Sequence, residues 1–105
     1  LQLWNGAAFR RVKTDSYAVV ATDAAFTLTP VTDAANIRHT GTLTADRTIT
    51  LSTTNAYAGA TFRVTRTGSG AFNLSVGGLK NLATNSWAEV VYDGSAWYLA
   101  AYGTL

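Results

Sequence analysis

Cysteine and methionine are absent from the 105-residue chain, and proline and histidine occur once each. Without cysteine the chain has neither a disulfide framework nor a thiolate metal site, so packing must stabilise it. The lone histidine, His39, cannot make a zinc site, and the aspartates lack the spacing of a calcium loop. The sequence therefore predicts no bound metal and no cofactor.

Charge is also scarce. Charged residues make up 13% of the chain, and eight Lys and Arg against six Asp and Glu give a formal net charge of +2. The strand parity of Arg63 and Arg66 places them on opposite sides of their segment, so they do not form one basic stripe. We therefore expect no nucleic-acid binding. No apolar run approaches the roughly 20 residues that span a bilayer, so membrane insertion is not expected.

The residues that are abundant favour β-structure. Hydrophobic residues form 48% of the chain, enough for one compact domain over residues 1–105 and too little sequence for two. Frequent Thr and aromatic residues suit short strands, and no segment has a sustained helical period. We predict an all-β fold, a small antiparallel β-sandwich or barrel of hairpins with about seven to nine short strands.

The beginning of the chain leads to a further expectation. It has no initiating Met, and an apparent hairpin starts at residue 1. We expect the domain to be the C-terminal end of a longer polypeptide, with residues 1–40 forming an N-terminal hairpin and a connection.

The clearest local signal is Asp93-Gly94, which lies between two runs rich in Val, Tyr, Trp and Leu. This dipeptide is typical of a two-residue type I′ hairpin turn. The turn fixes a register with three pairs on the face that meets the core: Tyr92–Ser95, Val90–Trp97 and Ala88–Leu99.

The other face of this hairpin gathers large aromatic residues around the only glutamate of the chain. Its predicted pairs are Val91–Ala96, Glu89–Tyr98, Trp87–Ala100 and Asn85–Tyr102. Sugars stack on aromatic rings and bond carboxylates, and a preformed β-surface supplies both groups. Trp87, Glu89, Tyr98 and Tyr102 are therefore candidate ligand-binding residues. The alternative, which we favour for any single ring, is burial against a second sheet or a neighbouring subunit.

A second hairpin is predicted from Thr61–Arg66, a loop at residues 68–70 and a strand at 71–76, because apolar and polar residues alternate. Its inner pairs are Phe62–Val76 and Val64–Leu74. Further strands are predicted at residues 17–20, 25–29, 36–40 and 47–51. Residues 52–60 are predicted to form a loop that presents Tyr57, another candidate contact, because loops often carry binding residues.

A short echo links the two ends of the chain, since Trp4-Asn5-Gly6 and Tyr92-Asp93-Gly94 share the order aromatic, Asn or Asp, Gly. Two copies do not make a repeat array, so we interpret the echo as shared turn chemistry.

Five segments in about the last 65 residues carry a resemblance to a known group. They are GTLTADRTITL at 41–51, FRVTRT at 62–67, GAFNLSVG at 70–77, WAEVVYDGSAW at 87–97 and AYG at 101–103. Through them the chain resembles the C-terminal domains of bacteriophage fibre proteins, which have relatives in prophages and gene-transfer-agent-like particles. Residues 1–40 match only through the Trp4-Asn5-Gly6 turn.

The resemblance implies a homotrimer on the surface of the virion, whose distal domains contact the host. We accordingly expect a non-enzymatic domain of a tail fibre or a head fibre that binds a host cell-surface receptor, such as a glycan. Its partners would be two copies of itself and other fibre, tail or head proteins. The competing hypothesis is a structural module that trimerises, caps or attaches the fibre and has no external ligand.

Catalysis is not predicted. A glycoside hydrolase needs two carboxylates a few ångströms apart. Glu89 is paired with Tyr98 in the predicted register, and the aspartates are expected in turns; they are Asp15, Asp23, Asp33, Asp46 and Asp93. His39 has no triad motif around it and is expected to be a surface or half-buried strand residue.

Overall fold

The computed structural model describes residues 16–105, and the predicted turn at Trp4-Asn5-Gly6 lies outside them. The described residues form nine strands and no helix. The strands are β1 (Tyr17–Val20), β2 (Phe26–Leu28), β3 (Asn36–His39), β4 (Arg47–Leu51), β5 (Thr61–Arg66), β6 (Leu74–Val76), β7 (Lys80–Leu82), β8 (Ser86–Tyr92) and β9 (Trp97–Thr104).

The strands make two sheets. Sheet A has the order β1-β3-β5-β8-β9, and sheet B has the order β2-β4-β6-β7. From β1 to β6 the chain alternates between the sheets, so β1, β3 and β5 run parallel, as do β2, β4 and β6. Strands β7, β8 and β9 then add antiparallel. The fold is all-β and sandwich-like, as predicted, but both sheets are mixed, so the predicted antiparallel arrangement is wrong.

The core lies between the sheets and is filled by alternate residues of each strand. Phe62 and Val64 of sheet A and Leu74 and Val76 of sheet B are buried, as the alternation predicted. The predicted hairpin between these segments is wrong, because β5 and β6 lie in different sheets. Alternation identifies the buried side of a strand, but it carries no information about the neighbouring strand.

From β1 to β6, each sheet A strand and the sheet B strand that follows it make one turn of a winding path. Hydrogen bonds join successive turns of this winding in the loops that lead from sheet A to sheet B. Asp23 accepts hydrogen bonds from Thr44 Oγ1 at 2.6 Å and from Arg47 Nε at 3.0 Å. One turn later, Asp46 Oδ1 accepts the backbone N–H of Asn73 at 2.8 Å. Asp23 and Asp46 thus lie in loops, as expected, where their carboxylates join one turn to the next; Asp15 lies outside the described residues.

Asp23 makes the stability of the domain sensitive to acid. The hydrogen bond from Thr44, followed by that from Arg47, lowers the pKa of Asp23 from 3.8 to about 2. A depressed pKa in the folded state adds stability above the unfolded value, and this contribution is lost as the pH falls through the folded value. We expect Asp23→Asn to lower the urea midpoint at pH 7 and to flatten its decline between about pH 4 and pH 2. Thr44→Val should reproduce part of both effects; an unchanged acid slope in Asp23→Asn would contradict this assignment.

The same end of the sandwich contains two glycines at which backbones meet. A Cβ on Gly41 would overlap with the carbonyl oxygen of Ala21, and a Cβ on Gly68 would overlap with the carbonyl oxygen of Gly41. The corners after β1, β3 and β5 therefore stack directly on one another. The spacing between these corners leaves no room for a side chain.

The C-terminal hairpin forms, but the predicted two-residue turn does not. The pairs nearest the turn are Tyr92–Trp97, Val91–Tyr98 and Val90–Leu99. Residues 93–96 form the loop, in which Asp93 Oδ1 accepts the N–H groups of Ser95 and Ala96 at 2.8 Å. These bonds, with that from Ala96 the larger influence, lower the pKa of Asp93. The longer loop sets the rings of Trp97 and Tyr92 5.3 Å apart in the core, an aromatic contact that the predicted register lacked.

A β-bulge then shifts the register between Glu89 and Val90, so that Glu89 pairs with Ala101 and Ala88 pairs with Tyr102. Ala100 is the extra residue on β9. The four-residue loop and the bulge together make the predicted register wrong. The contradicted pairs are Tyr92–Ser95, Val90–Trp97 and Ala88–Leu99 on the core face, and Val91–Ala96, Glu89–Tyr98, Trp87–Ala100 and Asn85–Tyr102 on the other face.

His39 and Arg66 are neighbours in register on β3 and β5, and both side chains are fully buried. The expectation of a surface or half-buried His39 is therefore wrong. Its Nε2 lies 2.9 Å from the carbonyl oxygen of Thr22, and its ring stacks on Phe26 with centroids 6.1 Å apart. Arg63 is exposed, so Arg63 and Arg66 do lie on opposite sides of β5, as predicted.

Candidate functional site

Three of the predicted site residues share the outer face of sheet A. Trp87, Glu89 and Tyr98 lie on β8 and β9 and point away from the core, with Tyr98 53% exposed. Trp87 and Glu89 alternate with the buried Ala88 and Val90, which explains their orientation.

The Trp87 ring is largely occupied by contacts within the protein. The guanidinium carbon of Arg63 lies 4.1 Å from the centre of the Trp87 ring, and Arg63 is 4.0 Å from Glu89. A Cβ on Gly103 would lie 2.8 Å from the indole nitrogen, so the ring packs against the backbone of β9. Trp87, Arg63 and Glu89 therefore interact mainly with one another and with β9. They leave a ligand little free aromatic surface.

Tyr102 is on the other side of the sheet. The β-bulge pairs it with the fully buried Ala88, and the Lys80 amine lies 4.1 Å from the centre of its ring. The prediction that Tyr102 shares a face with Trp87 and Glu89 is wrong, because the extra residue in β9 reverses which side the following residues face.

Tyr57 is where the sequence placed it, in the loop between β4 and β5, and it is 55% exposed. The loop is held at both ends by the scaffold: Ser52 N–H donates to Leu28 O at 2.9 Å, and Gly59 N–H donates to Tyr92 O at 2.7 Å. A bond from Ala60 N–H to Tyr57 O closes a turn within the loop. The Tyr57 side chain is therefore carried on an ordered backbone before any ligand binds.

Tyr57 stands at a cleft of about 780 Å³ at the end of the sandwich. The cleft lies between the β2–β3 loop and the β4–β5 loop, and its walls include Tyr17, Asp33 and Thr61. Its volume falls within the range of roughly 300–1,000 Å³ typical of small-molecule sites. Rings, hydroxyls and one carboxylate are the groups that bind a sugar.

The positions of Tyr17 and Asp33 in this cleft were not predicted from the sequence. Tyr17 was predicted only as a strand residue and Asp33 only as a turn residue. Asp33 does form a turn, since its carboxylate accepts the N–H of Thr29 at 2.7 Å and its own N–H donates to Thr29 O. Loops that are distant in sequence lie side by side here because the chain winds in parallel turns. No local sequence pattern predicts which loops become neighbours.

Across residues 16–105, no group of three or more His, Asp and Glu side chains is arranged to hold a metal ion. In the same residues, no helix is long and apolar enough to cross a membrane. Comparison with protein-family models, with curated proteins and with solved structures finds no match.

Proposed function

We propose that the chain is a non-enzymatic fibre domain on the surface of a phage virion, and that it binds a host cell-surface glycan in the Tyr57 cleft. The observation that carries this proposal is an exposed tyrosine, on an ordered loop, at a cleft of about 780 Å³. A second exposed ring, Tyr17, and the Asp33 carboxylate line the same cleft. The resemblance of residues 41–103 to fibre proteins supports the biological setting.

Assembly is part of the proposal. Three copies in a fibre would present three clefts, and linked weak sites bind a surface far more tightly than one site does. In this arrangement the partners are two further copies of the chain, other fibre, tail or head proteins of the particle, and the host glycan.

The proposal predicts a difference between two tyrosines of equal exposure. We expect Tyr57→Ala to weaken binding to host cells at least about tenfold, since loss of an aromatic anchor commonly costs about 1.4 kcal/mol or more. Tyr98→Ala is the matched control, because Tyr98 is 53% exposed but lies on the outer face of sheet A. Binding of the labelled, assembled protein to host cells and to their isolated surface polysaccharides measures both.

Equal binding by Tyr57→Ala and the wild type, both folded and assembled, would remove the cleft as the site. If the wild-type assembly binds no host material, the receptor proposal fails.

A structural role is the second candidate, and the outer face of sheet A favours it. Tyr17, Val19 and Tyr98 are each more than half exposed there, and exposed apolar side chains of this kind are common at subunit contacts. Under this alternative, Tyr98→Ala would lower the sedimentation coefficient of the assembly, whereas Tyr57→Ala would not. Sedimentation velocity on the same two variants therefore separates the two functions.

A further inference from the structure

The described lining of the cleft carries a negative charge. Among the described residues that line the cleft, Asp33 is the only charged side chain, and no Lys, Arg or His is present. The described cations are elsewhere, in strands β3, β4, β5 and β7. The described lining thus presents one negative charge and no positive one, within residues 16–105, whose five Lys and Arg balance five Asp and Glu.

The rim of the cleft adds an apolar group under conformational strain. Val31 has a φ of 72° and is 76% exposed. The left-handed conformation is unfavourable for a β-branched residue, and such residues concentrate at ligand sites. The two bonds between Thr29 and Asp33 close the turn around Val31. The fold thereby keeps the isopropyl group of Val31 exposed to solvent in the same turn as Asp33.

Among the described residues that line the cleft, the remaining polar side chains carry uncharged hydroxyls, among them those of Thr32 and Thr61. Thr61 Oγ1 lies 3.0 Å from the carbonyl oxygen of Gly59, to which it donates, so its lone pairs can accept a hydrogen bond from a ligand. Hydroxyls and a carboxylate together can bond several hydroxyls of a sugar. They offer nothing to neutralise a ligand carboxylate, sulfate or phosphate.

We propose that the cleft selects neutral or amino-bearing sugars and rejects acidic ones. The inference rests on the proposed function and narrows its substrate class. The C–H face of a neutral pyranoside packs against Tyr57 and Val31, and its hydroxyls bond the Asp33 carboxylate. An acidic sugar places a like charge beside Asp33, and repulsion in a partly enclosed cleft exceeds that in open water.

The test compares Asp33→Asn with Asp46→Asn. Both variants remove one negative charge and keep an oxygen that accepts a backbone N–H, but Asp46 lies at the other end of the sandwich, where it bonds Asn73. The probes are neutral and acidic oligosaccharides of equal length, cut from host surface polysaccharides and arrayed beside hexamers of N-acetylglucosamine and galacturonic acid.

We expect the wild-type assembly to bind neutral probes at least about tenfold more tightly than acidic ones of equal length at low salt, and to lose part of this preference as salt rises. Asp33→Asn should reduce the preference about fivefold, whereas Asp46→Asn should leave it unchanged. Tyr57-dependent binding of acidic probes as tight as that of neutral ones would overturn the inference and leave the proposed function standing. An equal effect of the two Asn variants would also overturn it. Absence of binding to every probe and to host cells would overturn the proposed function itself.

Discussion

Arg66→Met is expected to remove a large share of the stability of the domain. The Arg66 guanidinium donates to the backbone carbonyls of Phe72, Leu82, Ser69 and Gly70 at 2.5–3.2 Å. Burial lowers the pKa of Arg66, but arginine stays charged at neutral pH. Methionine keeps the length of the side chain but leaves these carbonyls without donors, and each unsatisfied buried group costs about 1–3 kcal/mol.

Relaxation and entry of water recover part of that sum, so we expect a loss of about 4 kcal/mol against the 5–15 kcal/mol typical of a domain. Urea unfolding followed by circular dichroism measures it. Arg63→Met on the same strand is the control, because Arg63 is exposed and its contacts with Trp87 and Glu89 are worth about 1 kcal/mol or less. Similar midpoints for the two variants would show that the buried carbonyls find other donors.

Gly68→Ala should have an effect of similar size for a different reason. The added methyl group would overlap with the backbone of Gly41 and Thr40, and backbone cannot rotate away as a side chain can. Gly68 does not lie in the left-handed region, so the whole effect is steric. Overpacking in close-packed protein commonly costs about 1–3 kcal/mol, and we expect the upper end here because two main chains must separate.

The matched control for this glycine is Gly78→Ala. Gly78 has a φ of 72° and open space around its Cβ position, so alanine there costs only the conformational penalty of about 1 kcal/mol. Thermal unfolding should therefore rank the proteins as wild type, Gly78→Ala and Gly68→Ala, in order of falling midpoint. A Gly68→Ala midpoint above that of Gly78→Ala would mean that the stacked corners are looser than the structure places them.

Local patterns in the sequence were sufficient to predict the strands and their buried sides. The strand predictions for β1 and β4 match the observed bounds, and alternation predicted the burial of Phe62, Val64 and Leu74. These properties depend on period two along a single segment, which a sequence displays directly. Strand β7 was missed, because three residues that begin with Lys80 are too short to show the period.

The parallel winding was not predicted, although the sequence contains its signal. Ile-Arg-His-Thr-Gly at 37–41 and Val-Thr-Arg-Thr-Gly at 64–68 are aligned by the pairing of β3 with β5. Asp-Ala-Ala-Phe-Thr-Leu at 23–28 and Asp-Arg-Thr-Ile-Thr-Leu at 46–51 are aligned by the pairing of β2 with β4. The repeats are short and unevenly spaced. Their residues are also those that any β-strand and turn would contain, so they do not stand out in the sequence. The one repeat predicted from the sequence was the pair of turns at Trp4-Asn5-Gly6 and Tyr92-Asp93-Gly94, which is unrelated to the winding.

The candidate site was predictable only in part. A loop that presents Tyr57 follows from turn residues between two strands. The orientation of Tyr102 depended on the count of residues around Asp93 and on a bulge at Ala100, and a one-residue error in either reverses the face. The cleft itself depends on which loops lie side by side, and that is a property of the winding.

The winding also places the contacts that stabilise the fold and the candidate cleft at opposite ends of the sandwich. The stacked glycines and the bonded aspartates hold the turns together at the end where β1, β3 and β5 finish, and the cleft is formed by the loops at the opposite end. Mutations that alter residues 29–35 or 52–60 therefore leave the joints of the scaffold untouched. Under the proposed function, substitutions in these two loops therefore change which ligand is bound, while the contacts that hold the sandwich together stay the same.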